Sequence, residues 1–97
     1  MAYRVTFDRP ALRALGATGL SRAALVLVLV NVRYNLEHAA DQFRGDRDPA
    51  DPSRFLHTFI LADAGRLHRL EFGVNDTATP GEMRVESVRH TPGGPFP

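Results

Sequence analysis

The stretch "FLHTFILADAGRLHRLEFGV", residues 55–74, decides the fold. Apolar and polar residues alternate on both sides of its central "DAG", and a period of two indicates β-strands at 55–62 and 66–74. A short connection of this composition is typical of a β-hairpin. We therefore expect the two strands to be antiparallel neighbours in a sheet.

The second strand of this hairpin separates its charges from its apolar residues. Successive side chains of a strand point to opposite faces. Arg69 and Glu71 therefore share one face, and the other face carries His68, Leu70, Phe72 and Val74. The apolar face is expected to line the core, and the charged face is left open to solvent or to a ligand.

The rest of the chain adds two strands and two helices to the hairpin. "YRVTF" (3–7) and "EMRVESVRH" (82–90) have strand patterns. "DRPALRAL" predicts a short helix with Asp8 as N-cap and Pro10 near its first position, and Ser21 can cap a longer helix that runs to Gly45. The Asp- and Pro-rich segment 44–53 is predicted to be a loop, and the tail "TPGGPFP" to be irregular.

The resulting order is β-α-α-β-β-β in a single domain over residues 1–97. It predicts an α+β fold, with a mostly antiparallel sheet and a helical hairpin on one face. The first strand fits either the edge or the middle of this sheet.

The segment from Ala23 to Val30 is apolar on every side. Its valines also fit a strand at 24–32. We predict a helix, because apolar residues recur at helical intervals at Leu25, Leu29, Val32, Leu36, Ala40 and Phe43. One sheet cannot cover such a helix all round. Either the short first helix covers the remainder, or a second chain binds there.

Composition restricts the class of protein. The 97 residues, 43% apolar and 24% charged, fit one globular domain, and the formal net charge is only +1. The chain has no cysteine, which excludes thiolate chemistry and disulfides. No apolar run approaches the ~20 residues that span a bilayer, and the N-terminal segment lacks the apolar region of a signal peptide. We therefore expect a cytoplasmic protein without membrane contact.

Two further features concern possible ligands. All twelve cationic residues are arginine, which suits phosphate contacts if several converge, although a GC-rich coding sequence produces the same bias. The histidines have no HxxxH or HExxH spacing, and Arg47 and Pro49 interrupt the series Asp46, Asp48, Asp51. We therefore predict neither a metal site nor a cofactor.

The element order and the run from "GRLHRLEFGVND" to "MRVESVRH" resemble the RelE/ParE superfamily of bacterial toxin-antitoxin toxins. In that family a glycine followed by an aromatic–arginine pair opens the third strand, an acidic turn follows, and the last strand ends in Arg, His or Lys. The matching positions here are Gly65, His68, Arg69, Phe72, Val74, Asp76 and His90. The chain departs from the pattern because it has no lysine, and because Tyr3 and Tyr34 both precede the later strands.

Ribonuclease members of that family cut messenger RNA through the RNA 2′-hydroxyl, which requires a base, an acid and a cation at the phosphate. The resemblance implies that Arg69 holds the phosphate, that His90 is the general acid, and that Glu71 or Glu86 is the base. Strict alternation from Met83 and Val85 places Arg84, Glu86 and His90 on the open face with Arg69, although Val88 then shares that face. Arg84 would bind a flanking RNA phosphate. Arg66 points to the other side of its strand, so it could join Arg84 at that phosphate only from the turn.

Three classes of function therefore remain open. The chain could be a ribosome-dependent endoribonuclease with mRNA and the ribosome as partners, a non-enzymatic toxin that inhibits DNA gyrase, or a homodimeric interaction module. The charged residues of the open face could also be simple cross-strand ion pairs. In a toxin, an antitoxin helix is expected to dock on the apolar region 23–30.

Overall fold

The computed structural model describes residues 2–45 and 47–95 and shows an α+β domain, as predicted. Its elements are β1 (Arg4–Phe7), α1 (Arg9–Gly16), α2 (Arg22–Ala39), a 3₁₀ turn (Ala40–Gln42), β2 (Arg47–Asp48), β3 (Asp51–Asp63), β4 (Arg66–Asn75) and β5 (Glu82–Pro95). The described strands form one sheet in the order β1-β5-β4-β3-β2. The β1 strand lies at an edge, parallel to β5, and all other neighbours are antiparallel.

The predicted hairpin is formed by β3 and β4. Its turn consists of Ala64 and Gly65, which have φ angles of 51° and 73°. Two consecutive positive φ angles are typical of a type I′ turn, whose twist matches that of the flanking strands. The hairpin therefore forms as the sequence pattern predicts.

The segment 24–32 is helical, so the helix interpretation is correct and the strand alternative is wrong. Ser21 caps α2 by accepting a hydrogen bond from the Ala24 N–H at 3.2 Å. The helix gives way to the 3₁₀ turn after Ala39, earlier than the predicted end at Gly45. Asp8 occupies the N-cap position of α1, but its side chain makes no capping hydrogen bond.

Both helices cover the same face of the sheet, which we call the inner face; the opposite face is the outer face. The α1 helix packs mainly on β5, and α2 packs on β3 and β1. The largest fully buried side chains are contributed by α2 and by the inner face of β3, β4 and β5. They are Val28, Val32, Leu36, Phe55, Leu70, Phe72, Val74, Met83 and Val85.

Two segments predicted to be irregular contain strands. Within 44–53, Arg47 and Asp48 pair with the beginning of β3, because the Asp48 carboxylate accepts a hydrogen bond from the Ala50 N–H and closes a short turn. Asp46 lies outside the described residues. In the tail, β5 continues to Pro95 alongside β4, and the register shifts near Gly93. A side chain at Gly93 would meet the Leu67 carbonyl oxygen at 2.8 Å, so glycine permits the close approach.

A β-bulge interrupts the alternation of β5. Gly73 pairs with Ser87, but the next residue of β4, Val74, pairs with Val85. Glu86 is therefore an extra residue without a partner on β4. Beyond the bulge the faces of β5 exchange, so that Val88 lies opposite Phe72 on the inner face.

Candidate functional site

The outer face carries a shallow polar pocket of about 280 Å³ that we call the outer pocket. It is lined by Arg69 and Glu71 of β4 and by Arg89 and Thr91 of β5. These residues are directly opposed in the sheet, Arg69 to Thr91 and Glu71 to Arg89. The structure therefore brings the predicted pair Arg69 and Glu71 together, and it adds Arg89, which strict alternation places on the other face, and Thr91, which lies in the tail predicted to be irregular.

Glu71 is the centre of the outer pocket. Its carboxylate accepts a hydrogen bond from Arg89 at 2.6 Å and lies 3.6 Å from the Arg69 guanidinium. The Arg89 side chain is 77% exposed, whereas that of Glu71 is 16% exposed. The hydrogen bond to Glu71 raises the pKa of Arg89. Two exposed guanidinium groups around one carboxylate leave a local positive charge, which suits an anion such as phosphate.

Arg84 and Glu86 also lie on the outer face, but each is engaged elsewhere. Arg84 donates from Nε to the Asp8 carboxylate at 2.8 Å, and this contact raises the pKa of Arg84. Glu86, in the bulge, accepts a hydrogen bond from Asn75 and lies 3.8 Å from Arg54. Neither residue lines the outer pocket. Here the interpretation of the outer charges as ion pairs describes the contacts well.

The prediction that His90 shares a face with Arg69 is wrong. His90 pairs with Leu70 and lies on the inner side of the sheet, where its Nε2 is 3.0 Å from His68 Nδ1. The bulge at Glu86 is the physical reason, because one extra residue reverses the alternation before His90. The sequence held a signal for this bulge, since strict alternation would have exposed Val88. Arg66 also leaves β4 on the inner side, as its parity predicts.

Because all four histidines lie on α2 or on the inner face of the sheet, no imidazole reaches the outer pocket. The set Arg69, His90, Glu71 and Glu86 is therefore not one catalytic group. Within residues 2–45 and 47–95, no group of three or more histidine, aspartate or glutamate side chains is arranged to hold a metal ion.

Asp76, which the family resemblance placed in a turn, connects two segments of the chain. Its side chain is 4% exposed and accepts two hydrogen bonds from Arg47, at 2.9 and 3.0 Å. Arg44 Nε lies 3.2 Å away. The hydrogen bonds from Arg47 hold the pKa of Asp76 below its usual range. Asp76 therefore joins the turn after β4 to the segment that follows α2.

A second surface feature lies on the helical side, beside β1. Val26, Leu27 and Val30 of α2, which we call the apolar strip, are 55%, 49% and 61% exposed. Helix α1 therefore does not cover this part of α2. A groove of about 510 Å³ adjoins the strip and is lined by Val5, Thr6, Phe7, Leu12, Leu29, Val30 and Arg33. One edge of β1 has no neighbouring strand among the described residues.

None of the helices described is both long enough and apolar enough to cross a membrane. Comparisons of the chain with family models, with curated proteins and with solved structures gave no significant match.

Proposed function

We propose that this chain is the toxin component of a bacterial toxin-antitoxin module of the RelE/ParE type, and that it acts by binding a protein partner. The proposal combines the sequence resemblance with the order of helices and strands. The observation that carries it is the apolar strip, which lies within a strongly cationic helical layer and next to the open edge of β1.

The helical layer has an unbalanced charge. Between Arg9 and Leu36 the sequence contains four arginines and no acidic residue, although the whole chain is nearly neutral. These arginines are exposed, and none lies within 4.0 Å of a carboxylate of a described residue. They are Arg9, Arg13, Arg22 and Arg33. An acidic, amphipathic antitoxin segment matches this surface in both charge and polarity.

The exposed apolar side chains add a reason for a partner. Val26, Leu27 and Val30 expose about half of their surface or more on one helix, and Leu12 on α1 is 46% exposed. Burying apolar surface stabilises a complex by about 25 cal/mol per Å² before the cost of association is subtracted. A contiguous exposed patch of this kind is typical of an interaction site.

A second candidate function, an mRNA-cleaving endoribonuclease, is favoured by the outer pocket. Arg69 and Arg89 could bind a phosphate there, and Glu71 could accept the proton of the 2′-hydroxyl. Two features weaken this candidate. Arg89 already occupies one oxygen of Glu71, and no histidine is available on this face to protonate the leaving oxygen.

The first experiment tests the module. The chain is induced in a bacterial host, alone and together with any small acidic protein that a neighbouring reading frame encodes. We expect growth arrest with the chain alone and rescue by the neighbour. A harmless chain that elutes as a homodimer would contradict the proposal and favour an interaction module.

The second experiment tests the surface with matched variants. Val30→Asp places a charge on the apolar strip, and Ile60→Asp places one on the outer face; the two side chains are 61% and 63% exposed. We expect Val30→Asp to weaken antitoxin binding at least tenfold, as about 1.4 kcal/mol would, and Ile60→Asp to leave it unchanged. Equal effects of the two variants on the measured Kd would exclude the strip as the docking site.

The third experiment separates the two candidate activities. During growth arrest, intact messages together with inhibited DNA gyrase would support a non-enzymatic toxin. Messages cut to 2′,3′-cyclic phosphate ends would support the endoribonuclease, and Arg69→Ala should then abolish the cuts. Cuts that persist in Arg69→Ala would remove the outer pocket from the reaction.

A further inference from the structure

His68 and His90 meet on the inner side of the sheet, at the end near the β3–β4 turn. His68 Nδ1 and His90 Nε2 are 3.0 Å apart. The ring planes differ by only 17°, and the ring centroids are 5.2 Å apart. That separation is close to the N–N distance plus one ring radius on each side. The two imidazoles therefore meet edge to edge through one nearly linear N–H···N hydrogen bond rather than face to face.

A backbone carbonyl fixes where the protons of this histidine pair lie. His68 Nε2 is 3.2 Å from the Asp63 carbonyl oxygen, and a carbonyl can only accept. His68 therefore carries its proton on Nε2, and in the neutral ring Nδ1 is an acceptor. It follows that His90 Nε2 donates to His68. Neutral His90 is then unprotonated at Nδ1, and no described residue contacts that nitrogen through a hydrogen bond.

This arrangement makes His90 Nδ1 the reactive atom of the pair. In the neutral pair Nδ1 has a free lone pair. A proton added there makes His90 an imidazolium, and the proton on Nε2 can then move along the hydrogen bond to His68 Nδ1. Nδ1 carries a hydrogen in either case, so one proton converts it from an acceptor into a donor while the positive charge is shared by both rings.

A second proton is strongly disfavoured. It would place protons on both facing nitrogens, break the hydrogen bond and bring two imidazolium ions together. Burial and the neighbouring His68 both lower the pKa of His90. The Asp63 carboxylate interacts electrostatically with His68. It accepts hydrogen bonds from the Ser21 N–H at 2.9 Å and from the Ser21 hydroxyl at 2.7 Å.

We infer that His68 and His90 form a single acid–base unit that binds one proton and presents His90 Nδ1–H to an oxyanion, a phosphate group in particular. Arg66 carries a further positive charge on the same face of β4, toward the β3–β4 turn. It precedes His68 by two positions on β4, its side chain leaves the same face, and it has no carboxylate within 4.0 Å in the described part of the chain. His68 is the positioning residue, because it fixes the tautomer of His90.

This inference does not depend on the toxin proposal, because the contacts of His68 and His90 are a separate observation from the exposed apolar strip on α2 that carries that proposal. It can be tested on the isolated chain of 97 residues. Nitrogen-15 NMR of the histidine rings between pH 8 and pH 4 reports the protonation of each nitrogen directly.

We expect His68 Nε2 to stay protonated throughout and His90 Nδ1 to be the nitrogen that takes up the first proton. The pair should titrate in two steps at least about one pH unit apart. The His68→Asn variant retains an acceptor near the position of Nδ1 but cannot become a cation, so His90 should then titrate in one step. His38→Asn, at an exposed site on α2, should leave both steps unchanged.

Two independent histidine titrations in the wild-type chain, or a His90 that is protonated on Nδ1 at pH 8, would overturn the shared acid–base unit. Either result would be obtained without any activity assay, so a failure here is distinct from a failure of the toxin proposal.

The ligand is tested at pH 6 with inorganic phosphate and with a short single-stranded RNA, each compared with chloride at equal ionic strength. A shift of the His90 resonance with phosphate would identify a small oxyanion as the ligand, and a shift only with RNA would identify a phosphodiester. Arg66→Ala should weaken the response at least threefold, whereas Arg69→Ala, on the opposite face, should not. No shift with either compound, or equal effects of the two variants, would overturn the ligand assignment.

Discussion

Replacing Asp76 by asparagine tests whether the buried carboxylate between Arg44 and Arg47 holds the fold together. Charged hydrogen bonds contribute about 1.5–3 kcal/mol each, and breaking a fully buried ion pair costs about 3–5 kcal/mol. The Arg47 and Arg44 side chains remain 42% and 33% exposed, so both can regain water when the carboxylate is removed. We therefore expect Asp76→Asn to lower the free energy of unfolding by about 2–3 kcal/mol, below the fully buried limit.

The control for this variant is Asp41→Asn. Asp41 also accepts a hydrogen bond from Arg44, at 2.9 Å, but its side chain is 67% exposed. An exposed pair contributes at most about 1 kcal/mol. Urea unfolding followed by circular dichroism measures the free energy of unfolding of both variants. In thermal unfolding, each kcal/mol of lost stability should lower Tm by about 4–8 °C in a domain of this size. Equal losses for Asp76→Asn and Asp41→Asn would refute the reasoning.

The pH dependence provides a second check on Asp76. Hydrogen bonds from Arg47 lower the folded-state pKa of Asp76 below its unfolded value of about 3.9. Its contribution to stability is therefore complete above about pH 5, and it is lost as the pH falls through the folded-state pKa. The stability difference between the wild-type chain and Asp76→Asn should shrink over that range. A difference that stays constant down to pH 2 would mean that the charge of Asp76 is not the cause.

Two further predictions concern stability. His57 is 2% exposed, and neither ring nitrogen has a hydrogen-bond partner in the described part of the chain. Because an unpaired buried polar group costs stability, we expect His57→Leu to raise the free energy of unfolding by about 1 kcal/mol at pH 7. Because burial lowers the pKa of His57 below 6.5, its replacement should also remove part of the stability loss that develops as the pH falls below 6.5, which urea titrations at pH 7 and 5.5 would measure. Ala64 adopts φ 51° in the hairpin turn, a conformation that suits asparagine better than alanine. Ala64→Asn should therefore raise the free energy of unfolding by about 0.5–1 kcal/mol, and with it Tm. An unchanged or lower Tm would contradict the inference that Ala64 is strained.

The sequence predicts those parts of the fold that depend on local patterns. The period of two in β3 and β4 and the turn composition at Ala64 and Gly65 are sufficient to identify the hairpin. Helix α2 is identified from its helical spacing, although its valines also suit a strand. In each case neighbouring residues along the chain contain the information, so the prediction does not require knowledge of the tertiary contacts.

The candidate site is less predictable, because it depends on which residues meet across strands. Arg69 and Glu71 share a face as parity requires, but their neighbours Arg89 and Thr91 are determined by the register of β5. The same applies to the tail, where strand pairing continues because Gly93 can approach the Leu67 carbonyl. Register depends on contacts between distant segments, and a pattern within one strand does not specify it.

The bulge at Glu86 determines the chemistry of both faces. Gly73 lies opposite Ser87, and the Ser87 hydroxyl and the Arg54 side chain occupy the space that a Cβ at Gly73 would need beside the inserted residue. Without the bulge, Val88 would face solvent and Arg89 would lie on the inner face opposite Leu70, which would leave an apolar side chain exposed and a charge buried.

The core therefore selects the bulged register, and this register directs Arg89 to the outer pocket and His90 to His68. Since the two sites lie on opposite faces, substitutions at Arg69 and at His68 should affect binding and titration independently. That independence allows the proposed functions of the two faces to be tested separately in the same chain.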